Sequence, residues 1–412
     1  MSRWLCKECF AGAAPPRSLV TLLVLSVSAP VLSAEYYVQP LVTALVKTNS
    51  NINLDPAGGT PVQGYGTDAS ALIGIATPNS DTNVRPRIRY SYYPKEAQLG
   101  RLESMFDFNT SYRSQVSTFA LSGRFDRLND TNAQRPSAQF SELNPSAPGT
   151  SDAGRIQVGA TRDYLILQPR YTHQLSQLVS LGVSALYQAE TFNPSDLNGH
   201  VNFDYYRGQV FISRKFGERM DLRLGGIAAR YEARDVVSTS DASGAEIGLA
   251  YKWTEALKGT MVVTWQHSDV NSELNPAFKG TTDNWGASGE LAWLRNASTF
   301  RLNLGRTITP GSAGGTYSAD QLHVQYDRTF SERLSGTVAT RAVATRGLWA
   351  NIDSSDRNYT TAELSARWML TRTWIIQGGY TYFWQKYRTD PLTAHSNEFY
   401  LQCGYQGLPP QR

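Results

Sequence analysis

From residue 35 onward the sequence alternates with period two, and that alternation limits the chain to extended strands with two unlike faces. In the stretch 374–385, Trp374, Ile376, Gly378, Tyr380, Tyr382 and Trp384 share one face. Ile375, Gln377, Gly379, Thr381, Phe383 and Gln385 share the other. The first face carries aromatics at its ends and small or apolar residues between them. The pattern recurs in Val179, Leu181, Val183, Ala185 and Tyr187, and again in Leu364, Ala366, Trp368 and Leu370. A soluble β-sandwich also alternates, but its outward face is polar and its strands run to about five or six residues. Here the alternation persists for about a dozen, the length of a tilted strand that crosses a bilayer.

Composition agrees with this reading. Mean hydropathy is −0.37, too polar for a bundle of membrane helices, although the chain holds 22 Tyr, 15 Phe and 9 Trp. An alternating barrel produces that combination because only every second residue meets lipid. No segment after residue 35 has the roughly 18 consecutive apolar residues of a membrane helix.

The N-terminus reads as a secretory signal. Arg3, Lys7 and Arg17 precede an apolar run from Ser18 to Ala29, too short to span a bilayer as a helix. Cleavage is expected after Ala34, with residues 1–34 removed and 35–412 forming the mature chain. Cys6 and Cys9 form a C-x-x-C inside the removed segment, which leaves Cys403 without a disulfide partner. Loss of Arg3, Lys7, Arg17 and Glu8 lowers the formal charge from +4 to +2, a balance that points to no nucleic-acid partner.

Connections alternate in length. Tight turns fall at 175–177, 216–219, 254–257, 295–298, 330–333 and 370–373. Longer Gly/Pro/Asn/Asp/Ser stretches fall at 193–199, 235–242, 271–281, 310–316, 348–356 and 389–394. Short and long connections in turn predict an all-β, transmembrane, antiparallel up-and-down β-barrel with periplasmic turns and extracellular loops. The rhythm gives about 18 strands, with 16 as the alternative, placed near 36–47, 69–77, 83–93, 99–113, 115–128, 156–174, 178–192, 200–215, 219–234, 243–254, 258–270, 282–295, 298–309, 317–329, 333–347, 357–369, 373–388 and 395–406. Pro40, Pro86 and Pro169 are expected to mark bulges or strand ends. The insertion 129–155 is long enough to fold inward and narrow a lumen.

The final strand, Phe399-Tyr400-Leu401-Gln402-Cys403-Gly404-Tyr405, resembles the aromatic-ended strand read by the barrel assembly machinery, although Gln406 to Arg412 follow it. The repeated hairpins, with Leu-Ser-Gln or Ser-Glu-Arg turns and Gly-interrupted strands, resemble the β-barrel porin-2 family over nearly the whole mature chain. The resemblance implies export through the periplasm to the bacterial outer membrane, a surrounding of outer-membrane lipid, and an association with exopolysaccharide loci. It carries no catalytic signature and implies no cofactor.

If aromatic and aliphatic positions face lipid, then Arg87, Arg89, Arg113, Arg124, Arg170, Arg207, Arg223, Lys252, Arg301, Arg341 and Arg367 face the lumen. Glu103, Asp107, Asp126, Glu246, Glu290, Asp327 and Glu363 face it too. Two readings stay open: a mildly basic channel for anionic or neutral solutes, saccharides included, or side chains that brace the wall of a plugged barrel. An enzyme needs a nucleophile and base in reach. His267-Ser268-Asp269 and His395-Ser396-Asn397 place neighbours on opposite faces of a strand, so neither forms a triad. No metal-ligand spacing occurs. Tyr205, Trp349 and Tyr387 are candidate platforms for sugar rings.

Overall fold

The computed structural model describes residues 34–408 apart from 97–98, 134, 136–137, 140–159, 194–199, 236–237, 273–278, 312–314, 348–355 and 389–391. The expected signal segment apart from Ala34, most of the 129–155 insertion and Trp349 lie outside the described residues.

Eighteen strands follow in chain order: β1 Glu35–Asn49, β2 Val62–Ala76, β3 Ser80–Tyr92, β4 Arg101–Arg113, β5 Ser117–Asn129, β6 Thr161–Gln174, β7 Val179–Asn193, β8 Phe203–Phe216 and β9 Met220–Ala233. The second half comprises β10 Ser238–Lys252, β11 Leu257–Ser272, β12 Gly280–Arg295, β13 Ser298–Gly311, β14 Gly315–Thr329, β15 Leu334–Gly347, β16 Arg357–Met369, β17 Trp374–Tyr387 and β18 Thr393–Gln406. A single turn of helix, α1 (Asp130–Ala133), follows β5. Each strand pairs antiparallel with its sequence neighbours, and β18 closes on β1, with Leu41 opposite Gln406 and Asn49 opposite Glu398. Closure leaves no strand edge, so the ladders satisfy the backbone groups that a bilayer would leave unpaired.

The registers fix the barrel's shape. Following paired residues once round the sheet displaces the starting position by about 22 residues along β1. With a rise of ~3.3 Å and a strand spacing of ~4.8 Å, that stagger tilts the strands by roughly 40° and sets a backbone radius of roughly 18 Å. The start of β1, the end of β18 and the six tight turns lie at one end, the terminal end of the barrel. At one of them Asn296 adopts φ 45°, a conformation Asn tolerates better than most residues.

The outward face is an apolar band between two aromatic girdles. Tyr36, Tyr112, Phe119, Tyr171, Trp253, Trp374 and Tyr405 line the end with the termini, and Tyr65, Tyr90, Tyr92, Tyr206, Trp265, Trp285 and Phe399 line the other, all exposed. Val183, Val210, Leu224, Ile247 and Leu401 occupy the space between. Among and beyond the aromatics of the second girdle, outward side chains become charged and paired, as in Arg127–Asp163 at 2.5 Å, Arg306–Asp320 at 2.6 Å and His267–Asp283 at 2.9 Å. A surface of this kind suits a bilayer and its polar boundary.

Several expectations need correction. β10 starts at Ser238, within the segment 235–242 read as a loop, and β13 and β14 reach Gly311 and Gly315, into 310–316. Composition misled there: Ser238, Ser240, Ser268 and Val270 are buried, as are Tyr317 and Ala319, and Tyr231 Oη donates to the Gly311 carbonyl at 3.2 Å. Small residues permit this close approach of the β9–β11 wall to β13–β14. β2 begins at Val62, well before 69. The prolines mark no bulge. Pairing lapses around Pro86 (Ser70 with Arg87, then Ile73 with Val84) and around Pro169 (Leu167 with Tyr187, then Arg170 with Ser184), but the register continues unchanged. Pro40 stands within β1, one residue beyond the end of its pairing with β18.

Candidate functional site: the lumen

Cross-strand pairing settles which way each strand residue points. The outward residues Val183, Val210 and Leu224 put their odd and even neighbours Gly182, Gln209 and Arg223 inside, and the ladders carry that parity round the barrel. By this parity all eleven basic residues read from the sequence lie on the lumen side, as do the seven acids.

Their surroundings differ. Arg87 donates to Asp68 at 2.6 Å, and Arg89 lies 3.1 Å from the same carboxylate and 3.7 Å from Glu103. Arg124 bonds Asp126 at 2.6 Å and lies 3.8 Å from Asp107. Glu246, 4 % exposed, accepts from Arg207 at 3.3 Å, from Gln209 at 2.8 Å and from Arg223. Lys252 turns to Glu255 in a tight turn, Arg367 donates to Gln406, and Arg341 is buried. Arg113 is exposed near the end where the termini lie. Arg170 and Arg301 make no hydrogen bond or ion pair with a described residue; Arg170 instead places its guanidinium 5.0 Å from the centre of the Phe211 ring.

Sequence reading missed further lumen charges, most of them near strand ends, where alternation is shortest. Arg162 and Glu190 form a buried pair at 3.5 Å, and Lys47 lies 3.8 Å from Glu398. Arg85, Arg101 and Arg357 share the inward parity of β3, β4 and β16.

Two connecting segments enter the lumen at the end opposite the termini. Leu54, from the β1–β2 connection, is buried with Tyr359, Phe383 and Ala394, and Gln385 Nε2 donates to its carbonyl at 2.9 Å. The segment after β5 crosses toward the far wall. Its start is held by Glu103, whose Oε1 accepts from Asn129 N at 3.1 Å and Asn132 Nδ2 at 2.7 Å. Farther along, Arg135 stacks 3.9 Å from the Phe383 ring and lies 3.8 Å from Glu398. The Ala138 carbonyl is 2.5 Å from His323 Nε2, and Gln139 Nε2 donates to Glu363 at 2.6 Å. β14, β16, β17 and β18 supply those contacts, so this segment narrows the lumen from the side opposite β5.

No family model matches the chain, and no curated protein matches it. Solved structures with a similar course include Pseudomonas aeruginosa OccK2 (OpdF) in complex with glucuronate, at 10% identity and TM-score 0.44, covering 90% of this chain and 98% of that one. Acinetobacter baumannii OccAB3 gives 10% identity and TM-score 0.43, with 90% and 99% covered. The P. aeruginosa outer membrane protein opdK gives 11% identity and TM-score 0.41, with 90% and 98% covered.

Of the candidate sugar platforms, Tyr205 and Tyr387 are each 7% exposed, so neither presents an open ring face. His267 and Asp269 point outward while Ser268 is buried on the inner side, as the alternation requires. Ser243 lies opposite His267 in the β10–β11 register, but no hydrogen bond joins them. Among the described residues no cluster of His, Cys, Asp and Glu could hold a metal ion.

Proposed function

We propose that this chain is a bacterial outer-membrane channel for small anionic or neutral solutes, saccharides among them. The observation that carries the reading is a closed barrel of roughly 18 Å backbone radius whose lumen is entered by the segments that hold Leu54 and Arg135 and keeps Arg170 and Arg301 without an ionic partner among the described residues. Fixed positive charge in a confined aqueous path raises the local anion concentration. The aromatic-girdled outer surface supports a place in the outer membrane, and the outward Phe399, Leu401 and Tyr405 of β18 support recognition by the assembly machinery. Passage of an exopolysaccharide is the finer reading, supported by the hairpin resemblance alone.

A second reading, a plugged barrel with a structural, adhesin-like or envelope-assembly role, draws support from Leu54 and Arg135, which pack firmly on the β16–β18 wall. Conductance of the refolded protein in a planar bilayer separates the two. Discrete channel openings with an anion-favouring reversal potential are expected. A silent, correctly folded barrel would favour the structural role.

A further inference from the structure

Five of the lumen arginines share one height. Strand stagger of about 1.2 residues per strand converts each register position into a level along the barrel axis. On that scale Arg85 (β3), Arg170 (β6), Arg223 (β9), Arg301 (β13) and Arg367 (β16) fall within about one residue of one another, or roughly 2.5 Å of height. They recur every three to five strands round the whole circumference. Arg89 and Arg207 stand about four residues higher, roughly 10 Å; Arg89 is held by Asp68, and Arg207 shares Glu246 with Arg223 of the ring.

The ring lies on the termini side of the inward segments, whose wall partners His323, Glu363, Phe383 and Glu398 all sit at higher levels. Its acids are few: Asp327 accepts from Gln325 at 2.8 Å and Thr337 at 2.7 Å, Glu290 accepts from Asn303 at 3.3 Å, Asp107 stands opposite Arg85, and Glu246 reaches down to Arg223.

Local packing builds part of this ring. Phe211 lies flat over Gly182, where an added Cβ would come 2.2 Å from the ring, and Arg223 crosses Gly248, where a Cβ would come 3.3 Å from its Nε. Glycine at both positions lets the side chains lie against the wall. Arg170 and Arg223 then flank Phe211 at 5.0 and 5.2 Å, which holds two guanidinium carbons no more than about 10 Å apart.

We infer that this five-arginine ring is the selectivity element of the channel and binds multivalent anions in preference to monovalent ones. The attraction between a fixed ring and a passing ion scales with the ion's charge, and neighbouring guanidiniums at one level act on the same ion together. This rests on the channel reading and names the place where discrimination occurs and the class of solute it favours.

The test uses chloride current through single channels, with sulfate or pyrophosphate added as probe at low ionic strength. Both are expected to block the wild type, pyrophosphate more strongly. Replacing Arg170 and Arg223 by Gln should weaken the sulfate block about fivefold at ~30 mM salt. Replacing Arg89 and Arg207 by Gln removes the same charge above the ring and should change the block less than about twofold. Heat-modifiable migration in detergent verifies that each variant is folded. Equal effects of the two pairs, or no block of a conducting wild type, would overturn the ring as the selectivity element. Absence of any conductance would instead overturn the channel reading on which it depends.

Discussion

Glu246 offers a perturbation whose effects on stability and on selectivity run in opposite directions. Its buried carboxylate collects Arg207, Gln209 and Arg223 on the β8–β10 wall. Glu246→Gln keeps the shape and one acceptor oxygen but removes the charge that both guanidiniums face. Breaking a fully buried ion pair costs ~3–5 kcal/mol. Here Arg207 and Arg223 are 34% and 25% exposed to the lumen, so water compensates part of that loss. A destabilisation of about 1–2 kcal/mol is expected. The lumen meanwhile gains one net positive charge. For an ion passing about 8 Å away, the unscreened interaction in water is ~0.5 kcal/mol, and a Debye length of ~10 Å at 0.1 M reduces it to about 0.2 kcal/mol. Anions are enriched and cations depleted by that amount, so the anion-to-cation permeability ratio should rise about twofold. At 1 M salt, where the Debye length is ~3 Å, almost nothing of the change should remain. Reversal potentials across a KCl gradient, wild type against Glu246→Gln, measure this directly. A folded variant whose reversal potential at low salt is unchanged, or shifts toward cations, would refute the account of Glu246 as the neutraliser of two lumen arginines.

Val183→Arg, on the outward face between the girdles, should destabilise the barrel by about 2–4 kcal/mol, while the adjacent inward Ser184→Arg should cost little; urea unfolding in detergent or liposomes compares them, and equal costs would mean that the assigned faces are wrong. Gly182→Val forces Phe211 off the β7 wall and should lower the unfolding midpoint by the equivalent of about 1–3 kcal/mol, with a smaller loss at Gly208, where an added Cβ meets nothing within 4 Å. Arg135→Ala together with Gln139→Ala removes the contacts to Phe383, Glu398 and Glu363, so single-channel conductance should rise; an unchanged conductance would show that this segment does not limit the path.

The fold was legible because a membrane barrel writes its constraint at every second residue. Strand number, the tight turns and the lumen side of all eleven basic residues could be read from alternation between girdles such as Trp374 and Trp384. What alternation does not encode is contact across the lumen. Ser238 and Ser240 look like loop residues until Tyr317 and Ala319 are seen to pack in the same region. Pro86 and Pro169 were expected to mark bulges or strand ends because proline lacks an N–H, whereas the ladders on either side hold the register in place. The inward segments illustrate the same limit: length alone suggested that 129–155 could enter the lumen, but nothing near Arg135 named Phe383 or Glu398 as its partners.

The ring could not be read from sequence for a related reason, and that reason separates the two roles proposed for arginine in this wall. Parity says that a residue faces inward; height requires the accumulated stagger, which depends on every register at once. Arg87, Arg89, Arg124 and Arg207 stand where Asp68, Asp107, Asp126 and Glu246 approach across neighbouring strands. Such pairs cancel most of their own field a few ångströms away and serve chiefly to fix side chains against the wall. A few residues nearer the termini the partners of Arg170 are Ser184 and Ala120, and those of Arg301 are Ala292 and Gln325, none of them acidic. The same residue type therefore braces the barrel where the register brings an acid beside it, as for Arg207 and for Arg223 of the ring, and leaves its charge to the solute where it does not, as for Arg170 and Arg301.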